Sequence, residues 1–151
     1  MAYTQFNEFD DENGTLVGSR RPSARPLARS LVPTIGFNDF VAQIDDEAPS
    51  TRIVIHVFEP SLSLCHQTDA HLEPLSLKYP DIKFLRISAD EVGEVMYFDP
   101  VALPALLVYQ GGGELTHCLL RMNDEVHEWH LNGSCSTTAF EAYLLQNDVL
   151  Y

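Results

Sequence analysis

From residue 34 onward the apolar positions recur at spacings that predict regular elements. Phe37, Phe40, Val41 and Ile44 fall at i, i+3, i+4 and i+7, one stripe of a short helix. Asp45-Asp-Glu-Ala-Pro-Ser50 ends it. Ile53-Val-Ile-His-Val-Phe58 is apolar on both faces but for one histidine, the pattern of a central strand covered on both sides. Leu64 to Tyr79 reads as a helix with Cys65, Leu72, Leu75 and Tyr79 inward. Pro74 lies within it and predicts a kink or a split, because proline lacks the amide donor and crowds the preceding turn. Ile82 to Ser88 is a strand carrying Ile82, Phe84 and Ile87, returned in parallel by the helix before it. Ala89 to Asp99 reads as a loop plus a short helix, and Ala105 to Tyr109 as another buried strand.

The remaining turns and elements follow the same logic. Gly111-Gly-Gly113 predicts a tight hairpin turn where positive φ costs little. Glu114 to Arg121 is expected to pair back as an antiparallel strand. Asn123 to Asn132 is polar and reads as a loop. Thr138 and Glu141 have the spacing of a capping box, with Phe140, Tyr143 and Leu144 on the inner face of a terminal helix. The order is helix, strand, helix, strand, helix, strand, strand, helix. That order predicts an α/β fold, a central mixed β-sheet with helices on both faces.

Composition narrows the class. The chain has 151 residues, of which 45% are apolar and 21% charged, enough for one domain with a proper core. No run of 18 apolar residues is present, so no spanning helix is expected. The first eight residues carry neither a basic nor an apolar signal region, and Cys65, Cys118 and Cys135 are too scattered for a disulfide framework. A soluble, cytoplasmic protein is the expectation. Net charge is −13, from 22 acidic and nine basic residues. Such a chain does not suit a general nucleic-acid binder, which must displace phosphate counterions with cations. The charge serves solubility first, and alternatively matches a basic partner surface.

The charge is also unevenly placed. Arg20, Arg21, Arg25 and Arg29 supply four of the nine cations, mixed with Pro22 and Pro26. Residues 1–33 therefore read as a flexible amino-terminal arm, and 34–151 as the folded domain. Arg20-Arg-Pro-Ser23 has the form preferred by basic-directed kinases, which marks Ser23 as a candidate phosphosite.

Several pieces together carry a family resemblance: Val54-Ile-His-Val-Phe-Glu59, Cys65 opening a helix, Tyr79-Pro-Asp-Ile-Lys-Phe84, Leu103-Pro-Ala-Leu-Leu-Val-Tyr-Gln-Gly-Gly112 and Phe140-Glu-Ala-Tyr-Leu144. Over residues 34–151 the chain resembles the carboxy-terminal domain of the phosducin and phosducin-like family. The resemblance implies a thioredoxin-like fold that has lost its redox dithiol. It implies binding to the G-protein βγ dimer, or a cochaperone role with the cytosolic chaperonin that folds the Gβ propeller. In that family a helical amino-terminal domain makes most contacts and the thioredoxin-like domain packs on the side of the propeller. Here about 30 residues precede the domain and show no amphipathic period, so a weak or transient complex is expected. The family is also regulated by phosphorylation of a serine in a basic setting ahead of this domain, which adds weight to Ser23.

The candidate chemistry points the same way. A thioredoxin-type site needs Cys-x-x-Cys at a helix start, where the dipole activates the first thiol and the second resolves the mixed disulfide. The matching stretch is Leu62-Ser63-Leu64-Cys65. Leucine holds the nucleophilic position, and only the resolving position keeps sulfur. Pro104 matches the proline that adopts a cis bond in such folds, read here as an inherited turn. No catalytic residue is assigned; Leu62, Cys65 and Pro104 mark a vestigial redox position. Two alternatives stay open: an adaptor of another cytosolic complex, and a monothiol oxidoreductase using Cys65. No cofactor is expected. Six histidines raise a metal site, but His66 and His71 are five apart, and His127 and His130 lie in the polar stretch read as a loop. No zinc-ligand spacing appears, so no metal is expected. Gly-x-Ser-x-Gly and nucleotide-loop motifs are missing too. For partner contact, Glu59, Pro60 and Ser61 after the first strand, and Asp90, Glu91 and Glu94 in the mixed segment, are the candidate residues.

Overall fold

The computed structural model describes residues 31–93 and 96–151. Residues 1–30 of the amino-terminal arm, with Ser23, and Glu94 lie outside the described residues, while Val32, within the stretch read as arm, is buried in the core. The elements in chain order are β1 (Thr34–Ile35), α1 (Phe37–Asp45), β2 (Arg52–Phe58), α2 (Ser63–Lys78), β3 (Ile82–Ser88), α3 (Ala89–Val92), a 3-10 turn (Pro100–Ala102), β4 (Ala105–Gln110), β5 (Glu114–Leu119), α4 (Met122–Glu125), α5 (His127–Asn132) and α6 (Thr137–Gln146). The five strands form one sheet in the order β1-β3-β2-β4-β5. β1 and β2 run parallel to β3, while β4 and β5 join antiparallel.

Pleating divides the apolar residues of each central strand between two cores. Val54, Phe84, Leu106 and Val108 face one side, with Leu72 and Leu75 of α2, Met122, Trp129, and Phe140 and Leu144 of α6. Ile53, Ile55, Val57, Leu85, Ile87 and Leu107 face the other, with Phe40 and Ile44 of α1 and Val92 of α3. The sheet is therefore mixed and covered by helices on both faces, as the periodicity predicts.

Several expectations need correction. Asn123–Asn132 is not a loop: α4 and α5 occupy it, and they bury Met122, Val126 and Trp129 at i, i+4 and i+7. His127 and His130 consequently sit on a helix. Pro74 does not split α2, which runs unbroken for 16 residues. Pro74 and Ala70, whose carbonyl loses its amide partner, are both exposed, so water can take that acceptor. Val41 points outward, and Tyr79 caps α2 half-buried, its hydroxyl donating to Glu141 Oε2 at 2.6 Å. The cap of α6 is Ser136, whose hydroxyl accepts from the Ala139 amide, rather than Thr138; Glu141 instead pairs with Lys78 and Tyr79.

The glycine turn divides its labour. Gly112 and Gly113 take the positive φ angles, +91° and +111°. Gly111 is needed for closeness instead: a Cβ there would lie 1.9 Å from the Ala48 carbonyl oxygen. The Gly111 and Gly112 amides donate to the carbonyls of Thr51 and Ile44, which ties the hairpin to the end of α1. Gly111→Ala is expected to lower unfolding free energy by about 2 kcal/mol or more, the scale of forced overpacking against backbone. Gly112→Ala, which has open space but a left-handed φ, should cost about 1 kcal/mol. Urea denaturation of both variants measures the order.

Candidate functional site

The carboxyl ends of β2 and β3 and the loop before β4 meet at one end of the sheet. This is where open α/β sheets place ligand crevices. Leu62 closes the turn from Glu59, its amide donating to the Glu59 carbonyl, and is the N-cap of α2, half-buried and with no side-chain cap to the helix amides. Cys65 is buried one turn in, its amide donating to the Leu62 carbonyl at 3.0 Å. Burial pushes the Cys65 thiol up, and the nearby Asp69 and Glu59 carboxylates push the same way. A protonated, buried thiol is a poor nucleophile. The Leu103–Pro104 bond is cis, and its loop is held from outside by the amides of Arg121 and Met122, which donate to the Ala102 and Pro104 carbonyls.

A polar tie lies under the same helix. His56 is fully buried on β2, and its Nδ1 is 2.8 Å from Asp69 Oδ1 on α2. Arg86 on β3 reaches Asp69 Oδ2 at 3.0 Å and lays its guanidinium over the Phe58 ring, 3.9 Å from the centroid. Burial holds the His56 pKa below its ordinary value against the pull of Asp69. The neutral ring then carries its proton on Nδ1, where Asp69 accepts it, and leaves buried Nε2 without a protein partner. A second histidine, His71, is stacked on Phe140 at 5.2 Å, with Thr137 Oγ1 2.8 Å from Nδ1 and Cys135 Sγ 3.6 Å from Nε2. Burial lowers the His71 pKa and raises the Cys135 thiol to about 11. These are neutral hydrogen-bonded pairs inside the packing of α2, α5 and α6.

The candidate partner residues separate. Glu59 and Asp90 line one cleft of about 350 Å³ together with Tyr97, Phe98, Pro100 and Leu103. Glu59 also accepts from the Ser61 amide and hydroxyl at 3.1 and 3.2 Å, which fixes the loop. Pro60 and Ser61 are exposed on that loop, and the Pro60 carbonyl meets His66 Nε2 at 2.7 Å. Glu91 turns away: its Oε1 accepts from the Phe37 amide at 2.8 Å and so serves the start of α1. Pro100 and Leu103 also line an adjoining depression with Leu62, Leu64, Val101 and Arg121. Sequence reasoning missed Tyr97 and Val101, which are 81% and 63% exposed. It also missed the His56–Asp69 tie, whose one visible signal is a histidine interrupting an apolar strand.

Among the described residues no group of three His, Cys, Asp or Glu side chains is placed to hold a metal, and no helix is long and apolar enough to cross a membrane. The Phosducin family model matches residues 31–150. The chain belongs to the phosducin family. It is 32% identical to phosducin of Bos taurus over 152 residues, covering 95% of this chain and 62% of that protein. It is 35% identical to the phosducin-like protein of Bos taurus over 89 residues, covering 59% of this chain and 29% of that one. Phosducin-like protein 1 of Dictyostelium discoideum is 40% identical over 78 residues, 52% of this chain and 24% of that protein. The chain thus spans less than two thirds of the length of these relatives. Among solved structures, a thioredoxin of Nicotiana alata superposes with a TM-score of 0.55 at 18% identity, over 83% of this chain and 97% of that one. A Plasmodium falciparum thioredoxin gives 0.54 at 17%, over 77% and 97%. The fold of this phosducin-family domain is therefore thioredoxin-like.

Both buried histidines make stability depend on pH. Their folded pKa values lie below the ordinary 6.5, so the unfolded chain binds more protons just below neutrality. Stability should be full above about pH 7 and fall as pH drops through 6.5 toward the folded values. Melting temperatures at pH 7.5 and 5.5 should show the loss, and His71→Asn should reduce it. A melting temperature that is flat over this range would contradict the burial of neutral imidazoles.

Proposed function

We propose that this chain is a non-catalytic, phosducin-type regulator that binds the G-protein βγ dimer in the cytoplasm, or assists its chaperonin-dependent assembly. Family membership supports a regulatory role of this kind. The observation that carries the absence of catalysis is the helix start itself. Leucine stands where the attacking thiol is needed, and the remaining Cys65 is buried and held protonated. With thiol exchange removed, the cleft and the apolar depression beside it are free to serve contact. Glu59, Pro60, Ser61 and Asp90 then belong to the partner surface. Glu91 supports it through α1, and Leu62, Cys65 and Pro104 form its inherited floor. Ser23, on the arginine-bearing arm, is the regulatory phosphosite of this reading.

The test is capture of purified Gβγ by the intact chain at tens of micromolar. Retention of Gβγ that weakens with added salt is the expected outcome, because an acidic surface meets a basic one. The same capture after treatment with cAMP-dependent kinase, with the site read by mass spectrometry, should place phosphate on Ser23 and change the retained fraction. If Gβγ is not retained, and a cytosolic complex without Gβ is recovered instead, the adaptor role replaces this one.

A further inference from the structure

The cleft beside the helix tip has a composition that selects its occupant. One half is acidic and aromatic: the Glu59 and Asp90 side chains share it with Tyr97 and Phe98. The other half, an adjoining depression that shares Pro100 and Leu103, is lined by aliphatic Leu62, Leu64 and Val101, with Arg121 and Asn123 at its side. Among the described residues, Tyr97 and Val101 are the most exposed apolar side chains of this end, at 81% and 63%. Large apolar groups left this open mark contact surfaces.

The charge balance decides what kind of contact. Residues 31–151 hold 18 acidic and five basic side chains. All five cations are engaged. Arg52 donates to the Asp148 and Val149 carbonyls, Lys78 pairs with Glu141, Lys83 with Glu47, Arg86 with Asp69, and Arg121 with Asp124. None of them answers Glu59 or Asp90. Arg121, the one cation among the described residues that lines the aliphatic half, is already paired with Asp124. A cation entering the acidic half meets two carboxylates and an aromatic ring, the surroundings that favour guanidinium or ammonium.

We propose that this bipartite cleft takes an extended segment of a partner protein in which a lysine or arginine adjoins a leucine-like side chain. The cation enters between Glu59 and Asp90 beside Tyr97, and the aliphatic neighbour fills the Leu62–Val101 half. The inference rests on the reading of this end as a partner surface and specifies the chemistry of what it grips.

The probe is the peptide acetyl-Ser-Leu-Arg-Leu-Ser-amide, titrated into the full-length 15N-labelled chain by NMR. Amide shifts centred on Asp90, Gly93, Tyr97 and Val101, saturating in the low millimolar range, are expected. The double variant Glu59→Gln/Asp90→Asn, which keeps the oxygen acceptor for Ser61, should weaken binding about fivefold, and so should salt near 0.5 M. Tyr97→Ala should weaken it as well. The proposal is overturned if no shifts appear at this cleft, if they centre on another face, or if the peptide with glutamate in place of arginine binds equally. Its fate is separable from that of the G-protein reading. Peptide binding at the cleft without Gβγ capture would leave this proposal standing and remove the other. Gβγ capture that is indifferent to the double variant, with no peptide shifts, would do the reverse.

Discussion

The two central strands are apolar on both faces, and that burial requirement organises the rest of the molecule. Ile53, Val54, Ile55 and Val57 on β2, and Ala105, Leu106, Leu107 and Val108 on β4, are all fully buried. Neither face of such a sheet can meet water, so each must be roofed by helices. α2, α4, α5 and α6 cover one side and α1 and α3 the other. With both faces sealed, the places left for contact are the sheet edges and the loops at the strand ends. The end where β2 and β3 finish carries the cleft, the cis proline and the start of α2.

Chemistry at that end is governed by burial too. His56 and Asp69 fasten α2 to β2, and Arg86 extends the tie to β3. A buried polar network with these partners costs more to break than it contributes when intact, so it fixes where the helix begins. That beginning leaves Leu62 half-buried against the core and Cys65 fully inside. A helix start with leucine at its tip and its cysteine buried presents no exposed thiol there. Family membership and this geometry both support the contact role proposed for this end.

The sheet, its mixed directions and its order of helices were legible because β2, β3 and β4 carry long apolar runs and α1 and α6 carry clear stripes. That leucine rather than cysteine stands three residues before Cys65, at the start of α2, was legible from spacing alone. What escaped was set by tertiary packing. Met122, Val126 and Trp129 have helical spacing, but the polar residues between them hid two short helices whose inner side packs into the core, Trp129 edge-on to Phe140. Pro74 looked like a break, yet it lies on the exposed side of α2, where the lost hydrogen bond can be met by water. The Ser136 cap lost out to Thr138 in the reading because Glu141 sits three residues after Thr138, while in the fold Glu141 is drawn to Lys78 and Tyr79. Of the acidic partner candidates, Glu59 and Asp90 converge across 31 positions of sequence, a juxtaposition no local pattern encodes; Glu91, adjacent to Asp90, turns the other way.

The central claim is that this helix tip no longer performs thiol exchange. Insulin reduction by the purified chain, with dithiothreitol as electron source and thioredoxin as reference, tests it directly. The account predicts precipitation of insulin no faster than with dithiothreitol alone, unchanged by Cys65→Ser. Sustained turnover that disappears with Cys65→Ser would contradict it.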